Sequence, residues 1–136
     1  MSEAEFAWKD LLTDRSWLEA AIEGEGHSAN GLIENIDLHG VYVSLSNRHF
    51  LPGDQVAIDI SVRDLDRRRY PVVTVYARVM HADKKGVHLR FRPMTVSKYA
   101  ILMEIVDCAP TYEGSDKMRY QQILLKEALS LSHSYE

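Results

Sequence analysis

The sequence predicts a mainly β fold with flanking helices. Five or six short segments alternate apolar and polar side chains, which is the pattern of half-buried strands. Turn residues separate these segments at close spacing, as in small antiparallel barrels and sandwiches. After Pro93 the apolar residues recur at helical intervals instead. We therefore expect the strands to end there and helices to follow.

Each predicted strand lies between turn signals. Pro52-Gly53 is the strongest of these, because proline presets one backbone angle and glycine accepts the next. Residues 16–23 fit two patterns. Their alternation favours a strand, whereas their alanines and glutamates favour a helix, and we adopt the strand. The other strands are predicted at residues 31–36, 41–45, 56–61, 72–80 and 87–91, with a polar turn at 25–30 and a charged hairpin loop at 63–71.

The chain divides into three predicted segments. We expect an N-terminal helical segment at residues 1–14, a β-barrel with its closing helix at residues 15–108, and a C-terminal helix at residues 115–133. Thr95 is the predicted N-cap of the closing helix. The C-terminal helix carries two apolar stripes, which include Leu124, Leu125 and Leu131. Either it packs on its own barrel, or these leucines dock a partner or a second copy of the chain.

Composition restricts the function. The chain has 136 residues, a net charge of −4 and one cysteine, Cys108, which excludes an intrachain disulfide. The acidic balance argues against binding of nucleic-acid polymers. Neither a membrane-spanning apolar run nor a secretory signal is present, so we expect a cytoplasmic protein. Residues 31–106, however, hold eleven basic and eight acidic side chains, which favours a local basic patch for an anionic ligand.

No pattern of catalytic or metal-binding residues is apparent. The six histidines have no metal-ligand spacing, and no set of nucleophile, base and orienting group can be named. We therefore expect no enzyme, no metal and no cofactor. Arg67, Arg68 and Arg69 form a basic run, which is either a solvated loop or a contact for an anionic or acidic protein partner.

Four stretches resemble the PilZ domain family when they are read in order. They are "ENIDLHGVYV" at residues 34–43, "LPGDQVAIDI" at 51–60, "VYARVMHADKKGVHLRF" at 75–91 and the helix after "RPMTVSKYAILMEIV". The resemblance covers roughly residues 15–106. It implies a six-stranded antiparallel β-barrel and a binding site for cyclic di-GMP, a bacterial second messenger.

The resemblance also implies which residues form that site. PilZ domains carry a motif of the form [Asp/Asn]-x-Ser-x-x-Gly, and Asn35 and Gly40 match its first and last positions. Asp37 stands where the family has serine, and a carboxylate repels nearby phosphates. The family's upstream Arg-x-x-x-Arg pair does not occur, since Lys9 and Arg15 are the only basic residues among the first thirty. The candidate ligand-binding residues are therefore Arg15, Asn35, Asp37 and Gly40.

Two functions remain open on this basis. The first is a regulatory or adaptor module of cyclic di-GMP-related signalling, which acts by protein–protein contacts and binds the nucleotide weakly or not at all. The second is a true cyclic di-GMP receptor, in which relocated basic residues such as Arg15, Lys9 or an arginine of residues 63–69 replace the missing pair. Residues 35–40 also have a simpler interpretation, because Asn, Asp and Gly are ordinary turn residues.

Overall fold

A computed structural model describes residues 16–46, 49–64 and 68–108 of the chain. The predicted helices at residues 1–14 and 115–133 lie outside these described residues, as do Arg15, Arg67, Leu124, Leu125 and Leu131.

The described residues form a closed six-stranded antiparallel barrel followed by one helix, which confirms the predicted fold class. The barrel order is β1-β2-β3-β6-β5-β4. All six neighbouring pairs are antiparallel, and the pairing of β1 with β4 closes the cylinder. The elements are β1 (Ser16–Gly24), β2 (His27–Ile36), β3 (Gly40–Ser44), β4 (Gln55–Asp64), β5 (Arg69–Asp83), β6 (Gly86–Phe91) and α1 (Val96–Cys108).

Alternating apolar side chains fill the interior of the barrel. Leu18, Ala20 and Ile22 of β1 are buried, as their spacing predicts. Equivalent positions of the other strands complete one apolar core, which also includes Ile105 of α1. The other buried members of this core are Ile33, Val41, Val43, Leu45, Phe50, Val56, Ile58, Ile60, Val62, Val75, Ala77, Val79, Val87 and Leu89.

Two element boundaries differ from the prediction. The polar turn expected at residues 25–30 is only two residues long, because Glu25 and Gly26 both adopt positive φ angles, 55° and 78°. Two consecutive residues with positive φ form a two-residue hairpin turn, so β2 already begins at His27. Similarly, β4 runs to Asp64 and β5 begins at Arg69, so both ends of the predicted 63–71 loop belong to strands.

Helix α1 begins and ends where the sequence predicts it. The Thr95 hydroxyl accepts a hydrogen bond from the Lys98 backbone N–H at 3.3 Å, which makes Thr95 the N-cap. Leu102 and Ile105 are fully buried on one side of the helix. Its other side leaves Val96 and Met103 exposed to solvent.

The antiparallel order brings particular strand ends together. Because each strand runs opposite to its neighbours, the ends of β2, β4 and β6 and the starts of β1, β3 and β5 lie at the same end of the barrel. The link from β2 to β3, residues 35–40, is at this end and is called the 35–40 corner below.

Candidate ligand-binding site at the 35–40 corner

The Asp37 side chain organises the corner by accepting hydrogen bonds from the backbone of the same turn. Its Oδ1 atom accepts hydrogen bonds from the backbone N–H groups of His39, at 2.7 Å, and Gly40, at 2.8 Å. The Asp37 N–H in turn donates to the Gly40 carbonyl at 3.0 Å. This is the turn chemistry that a short acidic side chain provides, and it fixes the reversal from β2 to β3.

The same contacts keep Asp37 ionised. The N–H groups of His39 and then Gly40 lower the pKa of the Asp37 carboxyl below its usual value of 3.8, because both donate to the charged form. Burial opposes this effect, and the nearby His39 and His88 side chains lower the pKa further by smaller amounts. The corner therefore presents a fixed negative charge at neutral pH, at the position where PilZ domains have a neutral serine.

Gly40 lets the corner approach β6 closely. It pairs with Arg90, and a Cβ atom added to Gly40 would lie 2.4 Å from the Leu89 carbonyl oxygen. Real Cβ atoms do not come so close to a backbone oxygen, so the position requires glycine. The carbonyl of His39 then accepts a hydrogen bond from the Phe91 N–H at 2.8 Å, which ties the corner to the end of β6.

Asn35 lies on the outside of the barrel. The register of β2 against β3 shifts between Ile33 and Asn35, and Asn35 then pairs with Tyr42. Its side chain is exposed, and so is that of Asp37. Asn35, Asp37 and Gly40 therefore share one rim, and the first two are accessible to a ligand.

A cavity of about 490 Å³ opens beside the corner. Its lining is mixed, with two arginines and a histidine among apolar and aromatic groups. The lining residues are Leu38, His39, Arg90, Phe91, Arg92, Pro93, Met94 and Tyr99. Guanidinium groups beside an aromatic ring can hold an anionic planar ligand, because arginine both pairs with phosphate and stacks on flat rings.

Arg90 and Arg92 were missed by sequence reasoning, which looked for basic residues upstream of β1. The structure brings them to the cavity because Gly40 of β3 pairs with Arg90 of β6, fifty residues later in the chain. The only sequence signal is "LRFRP", where two arginines flank Phe91 just before the strands end.

The described arginines at the ends of β4 and β5 make other contacts. Arg63 forms a two-bond ion pair with Glu19, in which Nη2 lies 3.2 Å from Oε1 and Nε contacts Oε2. Arg69 Nε donates to the Ser61 hydroxyl at 3.2 Å. The Arg68 N–H donates to Asp64 at 3.0 Å. Arg63 and Arg69 are thus engaged on the β1–β4–β5 side of the barrel rather than at the cavity.

Within residues 16–46, 49–64 and 68–108, no group of three or more His, Cys, Asp or Glu side chains is placed to hold a metal ion. In the same part of the chain, no helix has the length and hydrophobicity of a membrane span.

The fold and the corner together define a small closed β-barrel with a cavity at one rim, and comparison with known proteins identifies its family. The PilZ domain family model matches residues 15–107. The fold is also similar to a crystal structure of the PilZ domain of CeSA from a cellulose-synthesizing bacterium, with a TM-score of 0.51 and 15% identity over 67% of this chain and 90% of that chain. No curated protein matches the sequence. The chain belongs to the PilZ family, which is known for binding cyclic di-GMP and for signalling.

Proposed function

We propose that this protein is a PilZ adaptor of cyclic di-GMP-related bacterial signalling, which acts by contacts with another protein and binds the nucleotide weakly or not at all. PilZ domains are typically binding modules without catalytic activity, and we propose the same for this chain. The proposed location is the cytoplasm, where cyclic di-GMP signalling takes place.

The observation that carries the proposal is the state of Asp37. One carboxylate oxygen accepts the N–H groups of His39 and Gly40, and these bonds keep the group charged. A bound cyclic di-GMP would bring two phosphates towards this rim, and like charges repel most where solvent is excluded. A neutral serine hydroxyl, by contrast, would add no charge.

The engaged arginines of β4 and β5 support the same proposal. A family-like phosphate grip needs guanidinium groups that are available to the ligand. Arg63 neutralises the fully buried Glu19, so its release would leave a buried carboxylate without its cation. We therefore assign Arg63 a structural role and not a ligand-binding role.

A second candidate function follows from the cavity. Arg90, Arg92 and His39 line it, so they would be the relocated basic residues of a true cyclic di-GMP receptor. In that arrangement Tyr99 would stack on a guanine base. This candidate differs from the first in requiring tight binding that depends on Arg92.

Calorimetric titration of the full chain with cyclic di-GMP tests the two functions. We expect no saturable binding at micromolar protein concentration. Asp37→Ser restores the family's residue and removes the fixed charge, so it should strengthen whatever binding is measured. Lys84→Ala, at the far hairpin, is the control and should leave the titration unchanged. Sub-micromolar binding that Arg92→Ala abolishes would overturn the adaptor proposal and establish the receptor.

A further inference from the structure

Two rows of basic side chains cross the outer face of β5 and β6. Arg78 of β5 pairs directly with Arg90 of β6, and in the adjacent row His81 pairs directly with His88. All four side chains are exposed. We call the surface formed by Tyr76, Arg78, Met80, His81, His88 and Arg90 the β5–β6 face.

This arrangement is unfavourable for an isolated barrel. Like charges directly opposite each other on paired strands destabilise a sheet, whereas pairs of opposite charge stabilise it. Within the described residues, the salt bridge of the barrel joins Arg63 to Glu19, and neither Arg78 nor Arg90 takes part in one. Two exposed arginines at directly paired positions therefore add two positive charges to this outer face, and such a surface attracts an anionic partner.

The rest of the face has the character of a protein interface. Tyr76 is 60% exposed and Met80 is 45% exposed. The Lys98 ammonium adds a further positive charge, 5.8 Å from the centroid of the Tyr76 ring. Arginine, tyrosine and methionine are the residue types that protein interfaces favour at their centres.

The shape of the face favours a protein segment over a small molecule. Small ligands bind in concave sites that bury most of their surface. The outer side of a closed barrel is convex, so a small anion would remain largely in solvent there. An extended acidic segment can instead follow the two strands and contact both basic rows.

We propose that the β5–β6 face docks an acidic segment of a partner protein. This inference rests on the proposed adaptor function and names the surface and the chemistry of its partner. The face overlaps the cavity at Arg90 alone, since Arg78, His81 and His88 do not line the cavity. The two sites can therefore be tested separately.

A fluorescently labelled decaglutamate peptide serves as the probe, with anisotropy measured on the full chain at low and moderate salt. We expect salt-sensitive binding, although the protein itself has a net charge of −4. Arg78→Glu and, independently, His88→Glu should weaken it about tenfold or more. Lys84→Glu makes the same charge change as Arg78→Glu, but in the β5–β6 turn, and should weaken it less than about twofold.

Three outcomes would overturn the inference: no measurable binding of the peptide, equal weakening by Arg78→Glu and Lys84→Glu, or stronger binding of inorganic tripolyphosphate at the same residues. Circular dichroism of each variant confirms that the barrel is intact.

The nucleotide titration is a separate measurement, so tight cyclic di-GMP binding with unchanged peptide binding would contradict the adaptor proposal alone. If neither the peptide nor the nucleotide binds, the docking proposal alone would be contradicted.

Discussion

Asp37 shows how one side chain can organise a tight turn. It satisfies the His39 and Gly40 N–H groups at the corner and remains charged because of them. The serine that the family has at this position could accept such bonds without adding a charge. Under the proposed function, the carboxylate stabilises the corner and lowers its affinity for phosphate.

The charge of Asp37 predicts a dependence of stability on pH. Its pKa in the folded protein lies below 3.8, so its stabilising effect is complete above that pH and is lost as the pH falls through the folded-state value. Asp37→Ala should lower the free energy of unfolding by roughly 1 kcal/mol at pH 7, given the exposure of the side chain. Asp37→Asn, which keeps an acceptor oxygen, should cost less. Urea denaturation of the unmodified protein and of Asp37→Asn, from neutral to acidic pH, measures this. The difference between their free energies of unfolding should shrink below pH 3.8, and a constant difference would contradict the prediction.

Gly40 carries a different kind of constraint, which is purely steric. We expect Gly40→Ala to destabilise the barrel by about 2–3 kcal/mol, because the new methyl group meets the Leu89 carbonyl and must push β3 from β6. Gly26→Ala is the control. Its methyl group would meet nothing within 4 Å, so only the strain of a positive φ remains, about 1 kcal/mol. Thermal unfolding should rank Gly40→Ala as the more damaging, and the reverse order would contradict the close approach.

The residues of the corner were predictable, but those of the cavity were not. The Asn-x-Asp-x-x-Gly spacing is local, and so it is visible in the sequence. Arg90 and Arg92 belong to the site only through the register of β3 against β6, which side-chain packing of distant strands determines.

At the level of elements, β1 is joined to β4 by an ion pair in a nearly dry setting. The Glu19 side chain is fully buried and that of Arg63 is only 11% exposed. Such a pair contributes little by itself, but the loss of one partner leaves a buried charge. The alternation in residues 16–23 predicted the β1 strand but gave no sign that Glu19 on its outer face is buried.

The ion pair leads to a prediction for paired variants. Arg63→Met should lower the free energy of unfolding by about 3–5 kcal/mol, because Glu19 then stays buried without its cation. The double variant Glu19→Met/Arg63→Met should recover much of this loss, since neither charge remains. Urea denaturation of the single and double variants measures the coupling. If their losses simply add, the two side chains do not act as a pair.

Strand boundaries were predictable where the chemistry is local. Thr95 marks the start of α1, and the alternation of β4 and β6 defines their inward faces. The start of β2 was not predictable, because Glu25 adopts a positive φ that non-glycine residues seldom take. The long β5 was obscured by Pro71, which a strand accommodates here where the register of β4 against β5 shifts.

For the whole molecule, the turn signals predicted five or six strands but not how the sheet closes. Closure depends on β1 pairing with β4, which are about forty residues apart along the chain, from Ser16↔Asp64 to Glu23↔Ala57. The charge distribution was informative only in part. The basic excess of residues 31–106 predicted a local basic patch, but only the sheet register shows that Arg78, His81, His88 and Arg90 share one outer face.

Because the sheet closes on itself, all six strands have a neighbour on both sides. Where a strand is paired on both sides, a partner cannot add a strand of its own, since no row of main-chain donors and acceptors is left over there. Recognition of that part of the barrel must use side chains that project from the closed sheet. The side chains of such a surface can be substituted one at a time without changing the sheet. Related barrels could therefore diverge in what they bind while their hydrogen-bonded framework stays the same.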